Sequence, residues 1–274
     1  VKALKETKLN KAALDGLYAR YNRREFVHPD PLEFLYKYDK VRDREIVGLI
    51  ASSLAYGRVK QILRSIDYVL ARLGPSPADY LLRASQDGIL AIFQDFVHRF
   101  TTGERLASML LGARRVIKLY GSLHACFVAG HRETDDTVVP ALTGFVKELL
   151  GGNYSRDKYL VPAPDRGSAC KRLHLFLRWM VRKDAVDPGG WDGIPASKLV
   201  IPLDTHMYQI GVALRLTKRN QADLRTALEI TSAFREIVPE DPVRYDFALT
   251  RLGIREDTDM AAFLREYRLQ EVKR

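Results

Sequence analysis

Apolar residues recur at helical spacing from one end of the chain to the other. In 43-DREIVGLIASSLAYG-57, Ile46, Leu49, Ile50 and Leu54 fall on one face. The run continues in 59-VKQILRSIDYVLARLG-74 with Ile62, Ile66, Val69, Leu70 and Leu73, and Gly74 stops it. Start signals punctuate the pattern: Asn10 predicts a helix over roughly 11–23, and Asp30-Pro31, Ser76-Pro77, Thr102-Gly103 and Asn220 mark further starts. In 241-DPVRYDFALTRLG-253, Asp241 reads as the cap, Pro242 sits just inside and Gly253 lies just past the end. Strand-type alternation is confined to 198-KLVIPL-203, and no internal repeat or low-complexity tract occurs. The expectation is an all-α fold of about a dozen helices.

Two longer loop-like stretches, 151-GGNYSRDKYLVPAPDRG-167 and 184-DAVDPGGWDGIPASKLVIP-202, flank one helical run, 170-CKRLHLFLRWMVRKD-184. Loops of that length inside a compact domain usually serve a site, which singles out this helix. Leu173, Phe176, Leu177, Met180 and Val181 make one apolar stripe, with Leu175 and Trp179 adding apolar surface elsewhere, so the helix is expected to be central. Its remaining polar line is Lys171, His174, Arg178 and Arg182, which would hold an anion if it faced a cleft.

Ahead of the helix, Gly167 closes a proline-bearing loop and Ser168 reads as an N-cap, placing Lys171 at the third helical position. A capping box puts Glu or Gln there, and an ammonium opposes the positive helix end. Two readings stand: a solvated surface lysine, or an amine that burial and the helix end favour in its neutral, nucleophilic form. Downstream, in 202-PLDTHMYQIGVALRLTKRN-220, Asp204 opens a helix buried through Met207, Ile210 and Leu214. Alone, Asp204 is an ordinary N-cap and His206 a structural or phosphate-facing residue. Asp-x-His supplies too few ligands for a metal site.

Composition narrows the partners. The chain has 274 residues, 46% of them hydrophobic, enough for one large domain or two small lobes. Lysine and arginine number 44 against 34 acidic residues, a net charge of +10, which favours nucleic acid first and anionic membrane second over an uncharged ligand. A generally basic protein is the alternative. Only Cys126 and Cys170 are present, so neither a disulfide framework nor a four-cysteine zinc or iron–sulfur site is expected, and a reducing compartment is. No stretch has the apolar length of a bilayer span and VKALKETKLNK lacks a signal-peptide run, so a cytoplasmic, nucleoid-associated protein without a membrane partner is expected.

A lysine opening the helix after a hairpin loop, followed by an extended segment and Leu203-Asp204-Thr205-His206, resembles the catalytic core of the helix-hairpin-helix DNA glycosylase superfamily. The 33 positions between Lys171 and Asp204 exceed the endonuclease III spacing and are closer to the archaeal 8-oxoguanine glycosylase branch. Upstream, 44-REIVGLIASSLAYGRVKQILRSIDYVLARLGP-75 resembles the first helices of the superfamily's six-helix barrel. The segment from Lys171 through 239-PEDPVRYDFALTRLGI-254 is also similar to a widespread family of uncharacterised bacterial proteins. Two departures stand out: 161-VPAPDRGSA-169 lacks the superfamily's Leu-Pro-Gly-Val-Gly loop, and the iron–sulfur cysteines of some relatives are absent.

The resemblance implies two helical lobes with a DNA-binding cleft between them: a six-helix-barrel lobe over 41–185 with the hairpin and Lys171, and a second lobe from 1–40 and 186–274 with Asp204. It implies that Lys171 attacks C1′ while Asp204 stabilises the cationic sugar, giving a glycosylase and lyase that removes a damaged base, 8-oxoguanine first, from double-stranded DNA as a monomer. Gly167, Ser168, His206 and Arg178 would hold the DNA backbone, with a possible monovalent cation at the hairpin and no other cofactor. Asp246 would read the base edge, Phe247 or Trp191 would stack on it and Tyr56 would be the wedge in the duplex. The rivals are a non-catalytic nucleic-acid-binding helical protein and, from Ser168-x-x-Lys171, a serine acyl hydrolase, for which Ser-Asp-Asn and Lys-Thr-Gly are missing.

Overall fold

A computed structural model of the chain describes residues 10–151, 160–254 and Phe263. The middle of the 151–167 stretch and the two ends of the expected second lobe therefore lie outside the described residues. Among the described residues the fold is mostly helical. In order it contains α1 (Lys11–Tyr21), α2 (Val41–Ser53), α3 (Val59–Leu73), α4 (Pro77–Arg83), α5 (Gln86–Ile92), a hairpin of β1 (Val97–His98) and β2 (Thr101–Thr102), α6 (Gly103–Tyr120), α7 (Leu123–Ala129) and α8 (Val139–Leu150). After a longer connection come α9 (Lys171–Val181), α10 (Thr205–Ala213), α11 (Leu224–Ile237) and α12 (Asp246–Ile254). No described helix is long and apolar enough to cross a membrane.

The centre is α2, buried from Glu45 to Ser53, lying against α4, α7 and α9. At Gly48 a side chain would stand 3.3 Å from the Phe176 ring, so the glycine lets α2 and α9 approach closely. Two buried carboxylates on α2 satisfy free N–H groups at the starts of the neighbouring helices α4 and α7. Asp43 accepts from the Ala78 N–H at 2.9 Å, at the start of α4, where Ser76 makes no cap bond of its own. Glu45 accepts from the N–H groups of Leu123 (2.9 Å) and His124 (3.0 Å) at the start of α7. Burial raises the Glu45 pKa, and these hydrogen bonds partly oppose it.

Several start signals behave as local chemistry dictates. Asn10 accepts from Ala13 N–H at 3.1 Å, Thr102 caps α6, and Gly74, at φ 73°, ends α3. Others are corrected. Asp30 accepts from Leu32 N–H, but the segment it opens, Pro31–Lys37, is a 3-10 helix. The start expected at Asn220 falls at Asp223, which accepts from Thr226 N–H at 2.9 Å. Asp241 does not cap a helix because Arg182 Nε binds both its oxygens (3.1 and 3.0 Å); α12 begins at Asp246 and includes Gly253. The stretch 198–203 forms no strand: Ala196–Lys198 is a 3-10 turn, and Ile201 N–H donates to the Thr231 hydroxyl at 3.0 Å. The one β hairpin among the described residues, at 97–102, has two residues per strand, too few for alternation to register.

A candidate lysine–aspartate site

The helix N-terminus carrying Lys171 is not built as Ser168 suggests. Cys170, in the left-handed region at φ 44°, is the residue before the first helical turn, so Lys171 occupies the first helical position and not the third. Ser168 turns the chain by accepting from Cys170 N–H at 3.3 Å and forms a bridge with Asp223. The loop is pinned further by Gly167, at φ 79°, whose carbonyl accepts from Leu224 N–H at 3.0 Å. The hairpin loop is thereby fastened to the start of α11.

Asp204, 33 residues on, opens α10 and uses its two oxygens differently. Oδ1 accepts from Met207 N–H at 2.8 Å, an ordinary cap. Oδ2 stands 3.3 Å from Lys171 Nζ and 3.9 Å from His206 Nδ1. The pair is partly open to solvent, the lysine side chain 34% and the aspartate 19% exposed. A capping aspartate thus has one oxygen left for a lysine from a different helix.

The pair lies where two cavities meet. An open cleft of about 640 Å³ is lined by Gly167, Ser168, Cys170, Arg172 and Asp223 beside Lys171, Asp204 and His206. A smaller recess of about 290 Å³ is lined by Leu175, Arg178, Trp179, Asp246, Phe247 and Arg251, and it shares Tyr56, Gly57, Lys171, Asp204 and His206 with the cleft. Leu175 and Trp179 follow Lys171 at four and eight positions, one helical face. Asp246 Oδ1 and Trp179 Nε1, buried among the residues of this recess, have no hydrogen-bond partner. Buried groups of that kind are normally satisfied, so an acceptor and a donor stay unpaired in the wall of the recess.

The remaining expected site residues divide. Asp246 and Phe247 are at the recess and Gly167, Ser168 and His206 at the cleft. Arg178 is not a phosphate contact. It is 4% exposed, pairs with Asp187 at 3.2 Å and binds Asp246 Oδ2. Arg182 is likewise buried, held by Asp184 (2.8 Å), Asp241 (2.9 Å) and Asp187. Two guanidinium groups among four carboxylates tie α9 to α12, and removing one partner would strand a buried charge. Burial pushes the Asp246 carboxyl up to about 6 against the pull of Arg178. His174 is also buried; neither ring nitrogen has a partner, and burial pushes its pKa down to about 4. The polar line of α9 therefore turns inward after Lys171.

Trp191 is not a base stacker either. It is buried, donates to Glu45 Oε2 at 3.2 Å and packs edge-on against Phe176 with centroids 5.0 Å apart. Tyr56 is at both cavities, but its hydroxyl donates to the His98 carbonyl at 2.9 Å and lies 2.7 Å from Thr101 Oγ1, and Arg172 covers its ring at 5.0 Å. Trp179, Arg172 and Arg251 are among the site-lining residues that sequence reasoning missed; Trp179 was legible from its helical spacing to Lys171. Both thiols are buried, with Cys170 pushed up to about 11, and among the described residues no cluster of three or more His, Cys, Asp or Glu could hold a metal ion.

The fold and site define a mostly helical protein with a lysine–aspartate pair shared by an open cleft and a half-enclosed recess. The chain belongs to the family described as "Protein of unknown function (DUF2400)", whose model matches residues 30–255. No curated protein and no solved structure matches it.

Proposed function

We propose that the protein is a DNA glycosylase with lyase activity that removes an oxidised base, 8-oxoguanine first, from duplex DNA. The observation that carries this reading is the 3.3 Å approach of Lys171 Nζ to Asp204 Oδ2 at the junction of a cleft and a base-sized recess. Two lobes, 41–185 and 1–40 with 186–274, would meet along the cleft. The flipped nucleotide places its base in the recess and C1′ beside the pair. Asp204 takes a proton from the Lys171 ammonium and passes it to solvent, which leaves the carboxylate charged, and the amine attacks C1′. The C1′–N bond to lysine forms as the glycosidic bond breaks, and the base leaves with the bonding electrons and takes up a proton.

The negative charge of Asp204 opposes the positive charge that develops on the sugar. Ring opening gives an iminium at C1′. Loss of a C2′ proton then expels the 3′ phosphate, which is β-elimination. In the recess, Asp246 Oδ1 accepts from a base N–H and Trp179 Nε1–H donates to a base carbonyl, with Phe247 against the ring. At the cleft, Gly167, Ser168 and His206 meet the DNA backbone, and a monovalent cation at the hairpin is part of the same proposal.

Borohydride trapping on a duplex with 8-oxoguanine opposite cytosine tests the reading. A covalent adduct lost in Lys171→Ala is expected. Tight duplex binding without an adduct on any oxidised base would instead make the protein a non-catalytic nucleic-acid binder.

A further inference from the structure

The β1–β2 hairpin packs against Tyr56 and Gly57, which line both cavities, and is held there by buried groups. His98 and Thr101 have no exposed surface. Tyr56 grips the hairpin through its hydroxyl, as described, and its carbonyl lies 3.0 Å from His98 Nε2. The other ring nitrogen, Nδ1, lies 2.9 Å from Ser65 Oγ, and the two rings meet edge-on at 4.7 Å. Burial lowers the His98 pKa, which keeps the imidazole neutral in this role.

Between these anchors the turn Arg99-Phe100 projects. Arg99 lies in the left-handed region at φ 53°, a conformation that costs a side-chain-bearing residue free energy and persists only when its surroundings enforce it. Its side chain lies along Gly57, where a methyl group would come within 2.8 Å of Arg99 Cδ; Gly57, at φ 100°, borders both cavities. Phe100 is 66% exposed. Its carbonyl accepts from Arg105 Nη1 at 2.6 Å, and the Arg99 guanidinium is 5.6 Å from its ring. An exposed phenyl ring with one guanidinium near its face and another on its backbone carbonyl, on a stiff turn that packs on Gly57, suits a nucleobase: the ring offers a stacking face and the cations offset neighbouring phosphates.

We infer that Phe100, and not Tyr56, is the side chain that enters the duplex and stacks on a base left unpaired when the target nucleotide flips, with Arg99 on the adjacent phosphate. This inference rests on the proposed function for duplex DNA as the ligand.

Phe100→Trp in the full chain tests it, because Trp179 and Trp191 are buried and the introduced indole is the exposed one. Titration with a duplex carrying 8-oxoguanine opposite cytosine should quench the new emission at least about twofold and shield it from iodide, saturating with the anisotropy of the labelled duplex. Phe100→Ala should weaken binding about tenfold at unchanged thermal unfolding, a typical loss for one stacking contact. Unchanged emission while the duplex saturates, undiminished binding by Phe100→Ala, or no duplex binding at all would overturn the inference. So would a concentration-dependent dimer lost in Phe100→Ala without any response to DNA, which would give the ring to a second copy of the chain. A responding indole without a borohydride adduct would sink the glycosylase reading and leave this one standing; an adduct with a silent indole would do the reverse.

Discussion

Asp204→Asn and Asp204→Ala separate the two jobs that the structure gives to the two oxygens of one carboxylate. Asparagine keeps an acceptor for the Met207 N–H and removes the charge beside Lys171; alanine removes both. Loss of an N-cap acceptor costs about 1 kcal/mol. The ion pair, with the lysine side chain 34% exposed, contributes at most a few tenths of a kcal/mol after solvent screening. The alanine variant should therefore unfold in urea about 1 kcal/mol earlier than the native protein, and the asparagine variant only a few tenths earlier. Catalysis should divide otherwise. Removal of a fixed group opposite developing charge costs about a hundredfold to a thousandfold in rate. Both variants should fall that far in single-turnover release of 8-oxoguanine while binding the duplex as before. Equal destabilisation by the two substitutions would refute the split between the oxygens. Normal base release by Asp204→Asn would refute the electrostatic role.

Further outcomes follow from buried groups and charge. His174, held near 4 in the fold against 6.5 when unfolded, takes up a proton only on unfolding as the pH falls through that interval, so it lowers stability there. Between pH 7.5 and 5 the native protein should lose about 2 kcal/mol relative to His174→Leu in urea titrations; parallel losses would contradict the assignment. Gly112→Ala would drive a methyl group to within 2.0 Å of the Leu149 carbonyl, where α6 meets α8, and should cost about 3 kcal/mol by calorimetry; a neutral result would mean that the two helices separate freely. Duplex binding, if made through the basic residues of a +10 chain, should weaken linearly in logarithmic plots against salt, and a flat plot would remove the backbone contacts.

Much of the helical framework was legible because apolar spacing and short-range caps are local. Ile46, Leu49, Ile50 and Leu54 share a face wherever the helix is placed, and Asn10 and Thr102 find their acceptor roles within three residues. Where sequence reading failed, a distant partner had claimed the signal. Asp241 reads as a cap until Arg182, 59 residues away, takes both oxygens. Arg178 reads as a phosphate contact until Asp187 and Asp246 enclose it. Trp191 sits in a glycine-rich loop, yet that loop folds under α2 and delivers the indole to Glu45.

The site was half legible. Spacing alone leaves Lys171 a surface lysine and Asp204 a cap. What joins them is the loop from 182 to 203, which returns the chain to the start of α9, and no local pattern reports where a loop of that length ends. The hairpin was invisible for a simpler reason: its role depends on Tyr56 holding His98 and Thr101 from another segment, and two-residue strands leave no periodic trace.

The most direct measurement is to map the covalent bond itself. After borohydride reduction of the protein on a duplex with 8-oxoguanine opposite cytosine, proteolysis and mass spectrometry should find the sugar remnant on the amine of Lys171, and on no peptide from Lys171→Ala. A remnant on another lysine, or none on a duplex that the protein demonstrably binds, would contradict the assignment of Lys171 and Asp204 as a catalytic pair.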